Sequence, residues 1–147
     1  MDFNAEFTDA AGERLTRLGF ALVEERHRGH LDGMWRYDNG IVALVMIWEL
    51  MATAKLSVTM GGSGGTSFSA HVWADFLGVP KPGGKSGIDA LATPEEALDF
   101  FVTNLELAER KVAVTADLKE ALTDINWEYV KRRLGIDPDE PRPARRS

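Results

Sequence analysis

Gly61-Gly62-Ser63-Gly64-Gly65 has the G-x-S-x-G spacing of a nucleophile elbow, in which a serine stands exposed on a tight strand-to-helix turn. A hydrolase of that kind needs an acid and then a histidine further along the chain. The only histidine after Ser63 is His71, and no parallel sheet is indicated. The run therefore reads as a flexible glycine loop over residues 61–67, with the composition of an engineered linker. Gly84-Lys85-Ser86 ends like a phosphate-binding loop. However, Val79 stands where that pattern needs its first glycine, and Pro80 and Pro82 remove backbone donors. His27-x-x-His30 offers two imidazoles, with His71 or Asp32 as a third group. Zinc wants three or four preorganised ligands, and the flanking Arg26 and Arg28 repel a cation, so these read as surface histidines.

The carboxylates divide into three groups. Glu24 and Glu25 are neighbours on an expected strand, so they point to opposite faces and cannot work as a catalytic pair. Glu49 ends an apolar run beside Trp48. Buried, it would have a raised pKa and act as an acid; at the strand's exit it stands in water. Tyr37, Trp48, Glu49 and Trp127 are the residues that would line a ligand pocket between the sheet and the last helix. Glu95, Asp99, Glu106 and Glu109 fall on the polar side of one expected helix. Such a row is either a solvated face or a docking surface for a basic partner.

The elements that must position these groups follow from hydrophobic period and turn residues. Phe3, Phe7, Ala11, Leu15 and Leu18 predict a helix over 3–18, closed by Gly19. Strands are expected over 20–27 and 34–37, with Asp38-Asn39-Gly40 as a hairpin turn. Residues 41–49 are apolar without alternation. They read as a central strand buried on both faces, with a buried helix as the competing reading of 41–54. Residues 55–60 alternate as a fourth strand. A short helix over 71–78 carries Val72, Trp73, Phe76 and Leu77.

Thr93-Pro94-Glu95-Glu96 opens a helix to Val112 with a capping box. A last helix runs from Asp117 to Leu134 and ends at Gly135. Its apolar stripe drifts from Leu118, Leu122, Ile125 and Tyr129 to Trp127, Val130 and Leu134, as in a bent helix or one touched on two sides. Strands in a run and helices in a run predict an α+β fold. It comprises an N-terminal helix, a four-stranded mainly antiparallel sheet, then a short helix and two longer C-terminal helices on one face. Residues 1–136 form the single domain, and 137–147, with three prolines and no apolar stripe, form a disordered tail.

Bulk properties narrow the function classes. The 147 residues amount to one domain with its own core. There are no cysteines, which excludes a disulfide scaffold, thiol catalysis and thiolate-bound zinc, and which fits the cytoplasm. Residues 1–6 are acidic and do not read as a signal peptide, and the longest apolar run is too short for the ~20 residues of a membrane span. Of the net charge of −6, residues 1–130 carry −9 (11 basic, 20 acidic) and 131–147 carry +3 (6 basic, 3 acidic). A body this acidic repels phosphate backbones, so nucleic acid is a poor partner.

The helix-to-strand passage from Phe7 through Leu18-Gly19-Phe20, the Asp38-Asn39-Gly40 hairpin and the acidic 93–112 helix together resemble small bacterial immunity-type proteins. Those are α+β domains that bind and neutralise a partner toxin. The resemblance spans about residues 3–112 and rests on size, charge and element order. It carries no functional residue across; the absence of an intact catalytic motif, the acidic body, the charged helix face and the four tryptophans lead to the expectation of a non-enzymatic, cofactor-free protein-binding domain with a basic protein partner, held through Glu95, Asp99, Glu106 and Glu109. The competing expectation is a small-ligand-binding domain or small enzyme using the Tyr37, Trp48, Glu49 and Trp127 pocket. A homo-oligomeric structural subunit is a third.

Overall fold

The computed structural model describes residues 3–28, 32–49, 55–82 and 93–142. Helix α1 (Phe3–Arg17) leads into strands β1 (Ala21–Arg28), β2 (Asp32–Asp38), β3 (Val42–Glu49), β4 (Lys55–Gly62) and β5 (Ser67–Phe68). Helices α2 (Ala70–Leu77), α3 (Pro94–Thr103), α4 (Leu105–Ala113) and α5 (Leu118–Leu134) follow. The five strands form one antiparallel sheet in chain order. The fold is α+β with an N-terminal helix, an antiparallel sheet and C-terminal helices packed together. The expected fourth strand is extended by a fifth, two-residue strand.

Strand register explains which face is covered. Tyr37, Leu44, Met60 and Phe68 lie abreast across β2 to β5, and Trp35, Met46 and Val58 form the next row. These side chains join Ala11 and Leu15 of α1, Val72 and Trp73 of α2, Leu98 and Phe101 of α3, and Leu122 of α5 in the hydrophobic core. All the helices therefore cover the same face. Trp73 is fully buried, and its indole N–H donates to the Met60 carbonyl at 2.6 Å, pinning α2 to β4.

The opposite face carries Glu24, Arg36, Val45 and Thr59 in one row. Val42 to Met46 are buried without alternation, as a two-sided central strand requires. Residues 42–49 are thus strand, and residues 50–54 lie outside the described residues. The outer cover over β3 comes from Arg36 and from the β4–β5 hairpin, because Arg36 Nη1 donates to the Gly65 carbonyl at 3.3 Å.

That hairpin replaces the flexible loop expected over 61–67. Gly61 and Gly62 belong to β4, Ser67 belongs to β5, and Gly65 N–H bonds back to the Gly62 carbonyl at 2.9 Å. A Cβ at Gly61 would overlap the Thr66 carbonyl, so glycine is required there by close backbone approach. Asp38 ties this turn to the β2–β3 turn: its carboxylate accepts from the Ser63 hydroxyl at 2.8 Å, from Gly64 N–H and from Gly40 N–H. At the β2–β3 turn Gly40 has φ 90°, and the Asn39 side chain takes the Ile41 and Val42 amides.

Two expectations on the helical side are corrected. The helix expected over 93–112 is two helices. Asn104 stands at the break, off helical geometry at φ −102° and ψ 15°, and its side-chain Nδ2–H donates to the Phe100 carbonyl at 2.9 Å. The tail expected to be disordered from 137 is docked as far as 142. Lys131, 6% exposed, donates to the Pro138 carbonyl at 2.7 Å, Trp127 Nε1–H donates to the Glu140 carbonyl at 3.1 Å, and Arg142 pairs with Glu120 and Asp124. Helix α5 is touched on two sides: Leu118, Leu122, Ile125 and Tyr129 meet the core, and Trp127 and Lys131 meet this strap. Residues 143–147 lie outside the described residues.

Candidate functional site

Helix α3 starts where its sequence says it must. Thr93 Oγ1 accepts from Glu96 N–H at 3.2 Å, the Glu96 carboxylate accepts from Thr93 N–H at 2.9 Å, and Pro94 fills the first turn. Burying Ala97, Leu98, Phe100 and Phe101 in the core leaves Glu95 and Asp99 exposed beside α1. Between the two helices runs a groove of about 240 Å³ with Phe7, Ala10, Ala11 and Leu98 as apolar lining and Glu95, Asp99 and Arg14 at the rim. Arg14 Nη1 donates to Asp99 Oδ1 at 2.6 Å across it. Beyond the break at Asn104, Glu106 and Glu109 line a separate open depression with Arg110 on α4. The four acidic residues therefore serve two surfaces rather than one helix face. Asp99 is paired in cis, whereas Glu95, Glu106 and Glu109 make no ion pair or hydrogen bond among the described residues.

The other expected set does not converge. Tyr37 lies opposite Leu44 and Trp48 opposite Gly33. Both face the helices but stand four positions apart along the sheet, about 13 Å at the usual strand rise. Glu49 points to the opposite face and is exposed at the strand's exit. Trp127 is engaged with the C-terminal strap. Tyr37 is itself locked in the core: α1 comes so close that a Cβ at Gly12 would overlap its hydroxyl, and burial raises its pKa. Gly12, which weakens the helix signal in the sequence, is the residue that permits this contact.

The remaining chemical motifs are accounted for by local structure. Ser63 lies between two antiparallel strands, and its hydroxyl is bonded to Asp38, so it has neither the turn nor the base of an elbow. Glu24 faces outward and pairs with Arg26 and Arg36. Glu25, on the other face, accepts from His27 at 2.9 Å and from the Trp35 indole at 3.0 Å, and the His27 bond holds its pKa below the usual carboxylate value. Among the described residues no group of three metal-ligating side chains comes together. His30 and the Gly84-Lys85-Ser86 sequence lie outside the described residues.

One cluster escaped the sequence reading. His71 on α2 is 5% exposed, and its Nε2 has no hydrogen-bond partner among the described residues. Tyr129 of α5 stacks on it at 6.5 Å and donates to Asp75 Oδ2 at 2.6 Å. Lys81 lies 4.0 Å from Asp75 and 5.0 Å above the Tyr129 ring, with Arg132 on that ring at 5.7 Å. Burial, with help from Lys81, lowers the His71 pKa, while burial and the bond to Asp75 raise that of Tyr129. The only signal available was a histidine inside an apolar helix, between Ala70 and Val72-Trp73, and that pattern ordinarily marks a core position.

No helix of the described residues is long and apolar enough to cross a membrane. The chain matches no family model, no curated protein and no solved structure.

Proposed function

We propose that this is a non-enzymatic protein-binding domain, and that it docks a basic partner on its helical side, at the α1–α3 groove and the acidic α4 surface next along the chain. The carrying observation is the pairing of an apolar groove with carboxylates that have no partner among the described residues, Glu95 at its rim and Glu106 and Glu109 on α4. At about 240 Å³ the groove is smaller than the roughly 300–1,000 Å³ of typical small-molecule sites, and its scale suits a side-chain anchor instead. Unpaired surface carboxylates give orientation and association rate to a basic partner at little folding cost. Neutralisation of a partner toxin in the cytoplasm is the specific form that the resemblance to immunity-type proteins implies.

A photo-reactive benzoylphenylalanine tests the location. Placed at Ala10 on the groove, it is expected to cross-link to a basic protein at low salt. Placed at Ser57, exposed on the far face of the sheet, it is expected to give no such product. Cross-linking from Ser57 alone contradicts the proposal.

A further inference from the structure

The α1–α3 groove is bridged by a bond between its own walls. Phe7, Ala11 and Arg14 stand at four- and three-residue spacing, so they line one stripe of α1 about 10 Å long. Glu95 and Asp99 stand one turn apart on α3 and form the facing rim. Glu6, one turn before Ala10 on the same side of α1, is also exposed. Against these carboxylates Arg14 is the one cation lining the groove among the described residues, and it reaches across to Asp99 at 2.6 Å. The two side chains are 42% and 64% exposed, and an ion pair so open to water is readily exchanged for another of the same chemistry. Arg14 thus occupies, in cis, the place that an arginine from outside would take.

The walls also select the form of that visitor. Both are α-helices, whose interior backbone groups are bonded within each helix, so the groove offers no free strand edge to an extended peptide. A helix carries its own backbone bonds and needs only side-chain complementarity. Ala10 is exposed and small, and it leaves room for a side chain between Phe7 and Leu98. The rim is acidic, so the flanks of the incoming helix must be basic. Resting on the proposed docking of a basic partner at this groove, we infer that the docking element is an amphipathic helix. It seats an aliphatic side chain on Phe7, Ala10 and Leu98 and places an arginine on Asp99, displacing Arg14. Arginine suits this seat better than lysine, because its planar guanidinium reproduces the bond that Arg14 makes.

The probe is a hydrocarbon-stapled helical peptide of about 14 residues, with a pair of leucines one turn apart and one arginine on the next turn of the same face. A second peptide replaces that arginine with citrulline, which is neutral and nearly the same shape. Methyl NMR of the full chain follows Ala10 and Ala11, and titration at low salt gives Kd for both peptides. R14A is expected to bind the arginine peptide about fivefold tighter than the citrulline peptide, wild type by a smaller ratio, and D99N to bind the two within about twofold. R17A removes the same charge one turn on, outside the groove, and is expected to keep the wild-type ratio. Equal ratios in wild type, R14A and D99N overturn the displacement, as does a ratio that rises as much in R17A as in R14A. Ala10 and Ala11 signals that do not move at millimolar arginine peptide overturn the inference outright, and an unstapled, proline-interrupted peptide that binds as well as the stapled one overturns the helix. The cross-link from Ala10 to a basic protein does not depend on these peptides. If it forms while the peptides fail, the partner docks on the groove by another element; if it fails too, the groove is not a docking site at all.

Discussion

The exposed edge of the sheet and the helical side carry similar acidic groups and treat them in opposite ways. On β1, Glu24 is held by Arg26 and Arg36, and Glu25 by His27 and Trp35. The edge strand is thereby closed chemically, with a bulge between Leu22 and Glu24 and a row of internally paired charges, which are the usual protections against strand-to-strand association. On the helical side Asp99 is paired with Arg14, and Asp75, Glu120, Asp124 and Glu128 around α2 and α5 are paired too, but Glu95, Glu106 and Glu109 have no partner among the described residues. The sheet edge satisfies its carboxylates in cis; in the proposed function, those of the groove rim and α4 are the ones left to act in trans. The same contrast holds sterically: the sheet end is fitted atom to atom around Gly61 and Asp38, while the α1–α3 side keeps an open groove.

The largest expected effect breaks the fitted side. G61A drives a methyl into the Thr66 backbone and is expected to cost about 3 kcal/mol, read as a lowered urea midpoint. Next, W73F removes the donor to the buried Met60 carbonyl without emptying the core, for an expected loss of about 1–3 kcal/mol in the same measurement.

Acid titration sharpens the comparison by separating two corners. His71 has a folded pKa below its ordinary 6.5, so the unfolded chain binds that proton first. Stability is therefore expected to fall as pH drops through about 6.5, by at most about 1.4 kcal/mol per pH unit for one proton, and to level off once the folded form protonates. Glu25 has a folded pKa below 4.5, so its contribution persists above that value and is lost only in more acid solution. Thermal melts of wild type and H71Q between pH 7.5 and 5 isolate the first window; identical pH profiles would contradict the assignment. Smallest of all, E95K/E106K is expected to cost about 1 kcal/mol or less, since neither side chain has an ion-pair partner among the described residues and each loses only its favourable place in the first turn of its helix.

The parts of this molecule that are local in sequence were legible, and those made by contacts between distant residues were not. The Thr93–Glu96 cap, the Gly78 and Gly135 stops and the run of β-strands are written in short-range pattern. The break at Asn104 was hidden because Phe101, Val102, Leu105 and Ala108 continue the apolar spacing across it. The β4–β5 hairpin read as a linker because its glycines are explained by Thr66 and Asp38, not by their neighbours. The strap at 136–142 carries no apolar stripe and is held by polar contacts from Lys131, Trp127 and Arg142, which no periodicity shows. The acidic row was legible as residues; its division between groove and α4 was not. Glu49 and Trp48 read as one site, yet adjacent strand positions sent them to opposite faces.

The most direct measurement compares two double charge reversals for affinity toward the partner recovered by cross-linking. E95K/E106K alters the unpaired helical side, and E24K/E25K alters the paired sheet edge by the same number of charges. The account predicts a salt-sensitive wild-type affinity that falls about tenfold or more in E95K/E106K and stays within about threefold in E24K/E25K, equivalent to less than ~1 kcal/mol. Equal losses in both variants would reduce the interaction to net charge alone. Loss in E24K/E25K only would place the binding surface on the sheet edge and contradict the account.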